Sequence, residues 1–287
     1  MEKALLWDRL RNGSVKCLLC PHRCSIPIGQ VGICGVRKNV DGVLMSMNDS
    51  LTIAQAIDPI EKKPLAEFLP GTRTYSFAAV GCNLHCPWCQ NHDISQAKER
   101  THFGRKILPL EHVQEAIQQH TPSISYTYSE PTVYFEYAIA TMRLAKQKGL
   151  KNIWVTNGFM SQEALRLILP YLDAANVDVK GGKKTYDAIG GNLQIVLENI
   201  KAMKDFGVHV EVTTLLVTGV NDTPEEMEEV VDVLAEKIGL DFVWHVSRFF
   251  PRYHMTDIEP TALSSMQYAK QYAISKGIRK VLLGNVF

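Results

Sequence analysis

The sequence predicts an α/β protein: a single α/β barrel carrying a small Cys-rich N-terminal extension, divided at 1–72 and 73–287. Three observations predict it. From Thr74 onward, apolar strand-like runs alternate with helical stretches, and that alternation implies right-handed crossovers and a parallel sheet. A chain of 287 residues with 46% hydrophobic content can fill one large core plus a small appended module. All seven cysteines fall between Cys17 and Cys89, which sets a thiol-rich opening apart from the rest of the chain.

Charge and hydropathy narrow the function classes. A net charge of +1 gives no electrostatic footprint for nucleic acid, which needs clustered Lys and Arg. The longest apolar runs are far short of a membrane span, and Met1-Glu2-Lys3 leads into no sustained apolar signal region. The expectation is a soluble, cytoplasmic protein. Tight cysteine spacings in so long a chain read as metal ligation in a reducing compartment rather than as a disulfide framework.

Taken in order, residues 1–15 place Leu5, Leu6 and Leu10 between charges, and this pattern predicts a short helix ending near Asn12-Gly13. Next come Cys17, Cys20, Cys24 and Cys34, separated by Pro and Gly turns, enough thiols to close a tetrahedral site. Zinc, a second iron–sulfur cluster and a redox dithiol all remain open there, because ligand type alone does not choose among them. Residues 36–72 read as a connector with short strands. Val40-Asp41-Gly42-Val43 is a hairpin-turn candidate, Asp58 to Leu65 is irregular, and Lys62 and Lys63 read as solvated surface.

Strands are expected at 74–80, 123–128, 152–156, 174–179, 208–217 and 242–247, with a weaker one at 279–283. Helical stretches lie between them, for example Val133 to Lys148 with its stripe Ala138, Met142 and Ala145. Asp222-Thr223-Pro224-Glu225-Glu226 reads as a helix start, with Thr223 as cap, Pro224 in the first turn and Glu226 placed for a capping box.

After the first barrel strand the chain enters Gly81-Cys82-Asn83-Leu84-His85-Cys86-Pro87-Trp88-Cys89, a CxxxCxxC loop with no cysteine after it. A four-iron cluster normally takes four thiolates, so three leave one iron open to an exogenous ligand. Structural zinc completed by His85 is the alternative, but His85 lies directly beside Cys86, and neighbours in a tight loop rarely face one metal.

CxxxCxxC with the aromatic Trp88 before its last Cys resembles the radical S-adenosylmethionine (SAM) enzymes. More narrowly, the chain is similar to the pyruvate formate-lyase activating enzyme-like branch and to the radical SAM member of the AmmeMemoRadiSam group. The resemblance implies a partial (β/α)₆ barrel of the TIM type, open at one side, holding a [4Fe–4S] cluster on Cys82, Cys86 and Cys89. It also implies that the amino and carboxylate groups of SAM chelate the open iron. One electron, from a donor such as flavodoxin or ferredoxin, then cleaves SAM to methionine and a 5′-deoxyadenosyl radical.

The substrate is open: a small molecule or protein handled with Memo and AMMECR-type companions, or a glycyl radical enzyme that this chain would activate. A zinc-stabilised binding protein without catalysis is the rival from another class.

Barrel chemistry sits at the C-terminal ends of strands, and the resemblance points there as well. Tyr128-Ser129-Glu130-Pro131 occupies the place of the family's GGEP motif, with both glycines replaced. Ser129 and Glu130 would then face the SAM amino group, and a plain helix cap is the alternative for Glu130. Thr156-Asn157-Gly158 resembles a TNG segment beside the methionyl group, or is simply a turn. Asp178 and Lys180 share one strand face, as a DxK pair facing the SAM carboxylate, as part of a monovalent-cation site, or as a structural ion pair. His245 matches a SAM-contacting His or serves a polar network. Arg248 could hold an anionic or planar substrate or form a surface pair. Val217 to Asp222 resembles an adenosine-side turn without naming a residue. Relatives in this group continue past Gly284-Asn285 into a Cys-containing tail, whereas this sequence stops at Phe287, so any closing role of that tail is absent or supplied otherwise.

Overall fold

The computed structural model describes residues 1–96 and 104–286; Phe287 lies outside them. The N-terminal extension is built from two small antiparallel sheets. One pairs Trp7–Arg9, Val15–Cys17 and Ser25–Ile26. The other pairs Glu2–Lys3, Val43–Ser46 and Arg37–Val40. The helix expected over residues 1–15 is therefore a misreading. Tertiary partners take the backbone groups that a helix would have used: Ala4 donates to the Leu44 carbonyl, and the Leu5 amide donates to Glu136. A segment this short holds little helical free energy of its own against such pairing. The hairpin turn is present, with Val40 opposite Val43 and positive φ at Asp41 and Gly42, as a two-residue type I′ turn requires.

The barrel sheet has eight strands. They are β1 (Ala54–Pro59), β2 (Arg73–Ala78), β3 (Ser123–Tyr126), β4 (Lys151–Thr156), β5 (Ala174–Asp178), β6 (His209–Leu216), β7 (Val243–Arg248) and β8 (Lys280–Gly284). From β2 to β8 neighbours pair in parallel and in sequence order, and β1 adds antiparallel to the edge of β2. The order begins at β8 and ends at β1, so the sheet is open, as in a partial barrel. All seven expected strands form, including the weaker last one. They are legible because each carries large apolar residues on the face that packs under the helices, such as Tyr75 and Phe77, Ile124 and Tyr126, Trp154, and Trp244.

Helices cover the outer face: α1 (Pro109–Gln118), α2 (Phe135–Gln147), α3 (Gln162–Ile168), α4 (Lys183–Ile189), α5 (Leu193–Asp205), α6 (Pro224–Ile238) and α7 (Leu263–Ser275). Tyr75, Phe77, Tyr126, Trp154 and Trp244 are fully buried in the core beneath them. Burying each such ring removes roughly 200 Å², worth about 5 kcal/mol at ~25 cal/mol/Å². Thr223 caps α6 through the Glu226 amide, but the reciprocal bond of a capping box is not made: a Glu226 carboxylate oxygen is buried without a partner. Among the described residues no helix is long and apolar enough to cross a membrane.

The inner face is polar, and its floor comes from the connector. Ile60 and Leu65 pack on Ile153 and Ala174, Asn176 donates to the Pro64 carbonyl, and the Ala66 and Glu67 amides donate to the Glu211 carboxylate. Lys63 corrects the surface expectation. It is 1% exposed and pairs with Asp58 at 2.5 Å, whereas Lys62 on the same carboxylate stays in solvent. Asp58 supplies the counter-charge without which a buried ammonium would be prohibitive, and the Tyr128 ring lies 4.4 Å from its Nζ.

Candidate active site at the carboxyl ends of the strands

The chain leaves β2 and turns at Gly81, whose φ is +118°. A Cβ there would lie 2.9 Å from Val36, so only glycine fits this approach. Cys82, Cys86 and Cys89 follow as free thiols close enough to act electrostatically on one another, and Trp88 is buried in the core beside them. His85 is exposed and its Nδ1 bonds the Gln96 amide oxygen at 2.7 Å, so its ring is engaged away from the thiols. Burial pushes the Cys86 thiol up to about 11, with Lys180 pulling the other way, and burial raises Cys82 as well. These side chains are therefore protonated at neutral pH until a metal displaces the protons.

Glu130 is the hub of the neighbouring strand ends. Its carboxylate accepts from the Thr132 amide (3.0 Å), the Thr132 hydroxyl (2.6 Å), the Thr156 hydroxyl (2.7 Å) and the Asn157 amide (2.8 Å). It thus caps the turn after β3 and fastens that turn to the end of β4. Burial raises its pKa, and the bonds from Asn157 and Thr132 act against that rise. Ser129 donates to the Ala79 carbonyl at 2.5 Å. Asn157 donates to the Asn83 side chain (2.9 Å) and approaches the Cys82 sulfur at 3.7 Å, so the end of β4 touches the cysteine loop directly.

Asp178 and Lys180 share a face, with Lys180 Nζ 2.5 Å from one Asp178 oxygen while the other oxygen, Oδ1, is buried without a partner. Burial works against the Lys180 ammonium, but Asp178 and then Cys86 hold its pKa above the ordinary lysine value. Asn221 accepts from the Val217 amide and donates to the Lys180 carbonyl, which ties the turn after β6 to this pair.

His245 lies elsewhere on the inner face. Its Nε2 bonds Glu211 at 2.6 Å, and Glu211 also takes His209 at 2.9 Å. This is the polar-network arrangement, centred on a glutamate that the sequence reading had left within an undifferentiated apolar strand. Arg248 donates to the Thr261 carbonyl and lies over the Phe250 ring. Two further residues were missed as a unit: the Tyr128 hydroxyl donates to Asp58, and Tyr128 holds φ +66° where the motif it replaces has glycine.

In the extension, Cys17, Cys20, Cys24 and Cys34 line a single pocket with His22 and Arg37. Among the described residues no three His, Cys, Asp or Glu side chains are gathered as one metal ion would require, either here or at the Cys82 loop.

Comparison with known proteins settles the family. The sequence model of the radical SAM superfamily matches residues 78–234, more than half of the chain. The protein belongs to the radical SAM superfamily. An uncharacterised protein of Methanocaldococcus jannaschii is 39% identical over the whole of this chain and 86% of its own length. The 7-carboxy-7-deazaguanine synthase of Thermococcus kodakarensis is 31% identical over 48% of this chain and 61% of its own. A radical SAM methyltransferase from Sphaerobacter thermophilus has a similar fold, with a TM-score of 0.56 at 15% identity, over 75% of this chain and 67% of that one. Radical SAM enzymes use a [4Fe–4S] cluster and SAM and depend on an external electron donor. The residues present fit both cofactors: three free thiols on one loop make an incomplete thiolate set, and a lysine beside an unpartnered carboxylate oxygen offers contacts to an amino acid's charged ends.

Proposed function

We propose that this radical SAM enzyme holds its [4Fe–4S] cluster on Cys82, Cys86 and Cys89 and binds SAM across the ends of β3, β4 and β5. When bound, the cluster and SAM supply a carbon-centred radical that takes a hydrogen atom from the substrate. The observation that carries this reading is the meeting of the thiol loop with the strand ends through Asn157 and Lys180. In it, Lys180 attracts the SAM carboxylate, and Asp178 Oδ1 accepts from the SAM ammonium or ligates a monovalent cation. Glu130 has four protein donors already, so its part is to hold the Ser129 and Asn157 segments in place rather than to carry SAM alone. Trp88 and Thr156 complete the wall behind the loop and the turn.

The polar groups of the inner face, Ser76, Asp58, Tyr128 and Glu211, support a polar substrate entering through the open side. A flavodoxin or ferredoxin is the proposed electron source, and Memo and AMMECR-type proteins are the proposed companions, in the reducing cytoplasm to which the free thiols are suited. Activation of a glycyl radical enzyme is the competing assignment of the same site.

The test is 5′-deoxyadenosine formation after anaerobic reconstitution with iron and sulfide, using SAM and a strong reductant. Steady product that disappears on Cys86→Ala supports the reading, and turnover persisting in that variant overturns it. A glycyl doublet in electron paramagnetic resonance (EPR) with a candidate partner would favour the activating-enzyme assignment.

A further inference from the structure

We propose that Cys17, Cys20, Cys24 and Cys34 ligate a second, electron-transferring iron–sulfur cluster, and that His22 couples it to the Cys82 loop. The coupling rests on the assignment of the barrel cluster to Cys82, Cys86 and Cys89; the second site itself does not.

Three observations converge on it. The four thiols line one pocket, walled by Leu19, Ile26 and Val133. They act on one another electrostatically: Cys34, Cys17 and Cys24 all raise Cys20. Arg37 reaches the same pocket, is 1% exposed, and keeps its Nε without a partner while its terminal nitrogens are held by Glu136 and the Val133 carbonyl. A buried N–H donor lining this pocket, with its charge acting on Cys17 and Cys34, would stabilise the excess negative charge of a reduced cluster and give its unpartnered N–H a sulfur acceptor.

The link to the barrel is one side chain. His22 follows Cys20 by two residues and lines the same pocket, its Nε2 donates to the Asn83 carbonyl at 2.7 Å, and its ring packs edge-on against Phe159 at 5.2 Å. Asn83 adjoins Cys82 in sequence, donates to the Phe159 carbonyl and is gripped by Asn157. A route between the two thiol groups therefore runs along the chain from Cys20 to His22, across the hydrogen bond to Asn83, and along the chain to Cys82. One electron from an external one-electron protein donor reduces the second cluster and then passes along this route to the barrel cluster, which re-oxidises the first. No bond is made or broken.

The test uses the full chain with Cys82, Cys86 and Cys89 all replaced by Ala, reconstituted anaerobically. Retention of about four irons per chain, with an EPR signal on reduction that SAM does not alter, is the expected result. Zinc without iron, or no metal, overturns the proposal. The complementary replacement of Cys17, Cys20, Cys24 and Cys34 by Ser keeps a SAM-responsive signal when the barrel assignment holds, so the two readings fail separately. Should that variant not fold, the unaltered chain decides: about eight irons support the second cluster and about four exclude it. His22→Phe preserves the packing on Phe159 but removes the bond. Its iron content should be unchanged, while the SAM-responsive signal should grow several-fold more slowly under a limiting protein donor. An unchanged rate would overturn the His22 route.

Discussion

His245 Nε2 lies 2.6 Å from the Glu211 carboxylate on the inner face of the barrel, above the floor made by residues 60–67. Burial alone would raise the Glu211 pKa, but bonds from His209, His245 and the Ala66 and Glu67 amides hold it well below the usual carboxylate range. A carboxyl depressed in the folded state stabilises the fold above its unfolded pKa, and that stability is lost as pH falls. Glu211→Gln should lower stability at pH 7 by about 2–4 kcal/mol and flatten the loss below roughly pH 4.5. Urea midpoints measured from pH 3 to 7 check both.

His112 titrates in a higher window. It is fully buried between Tyr75 and Tyr137 and stacked on Phe77, and burial lowers its pKa to about 3. The unfolded chain binds this proton near pH 6.5 and the folded chain does not, so stability declines as pH falls from about 6.5 toward 3, by up to about 1.4 kcal/mol per unit. His112→Gln should lose that slope between about pH 6.5 and 4.5, where Glu211 is still silent. Equal slopes in the two proteins would contradict the assignment.

Gly158 follows Asn157 at φ +70°, and a Cβ there would stand 2.8 Å from Val177 and 2.9 Å from Val196. Gly158→Ala should cost about 2–4 kcal/mol through strain and overpacking. Because the turn carries Asn157, bound iron should also fall relative to folded protein, which iron analysis of the soluble variant reads directly.

Lys180→Met removes the ammonium beside Asp178 and Cys86 while keeping the aliphatic stem. SAM affinity should drop about 10- to 100-fold, the worth of one charge-assisted contact, with cluster content retained. Titrating SAM against the EPR signal measures it, and unaltered affinity would remove Lys180 from the binding site.

How far the sequence was legible differs between the sheet and its contents. Strand positions were plain because their outer faces carry large apolar side chains such as Tyr75, Phe77, Trp154 and Trp244. The cysteine loop was plain because thiol spacing is local. Glu211 and Asp58 were not, since each is explained by a partner far along the chain: Glu211 by Ala66 and Glu67, Asp58 by Tyr128; Lys63 was missed because its burial depends on that same Asp58. The N-terminal segment was misread for the same reason, its backbone being claimed by strands from residues 15–17 and 43–46. Tyr128 showed that a glycine motif had been altered. Only the fold shows what the larger side chain does there, bridging the turn after β3 to β1.

The floor of the barrel has a consequence for how the molecule comes together. Ala66 and Glu211 are 145 positions apart, and Glu67 is bonded to Arg279, 212 positions away. Loop-closure entropy must be met before such distant contacts return anything, so these contacts form late, once the strands between them are in place. A chain growing from its N-terminus therefore carries residues 60–67 without their partners until β6 and then Arg279 have emerged, whereas the thiol-rich opening can already pair with Glu136 and Glu163.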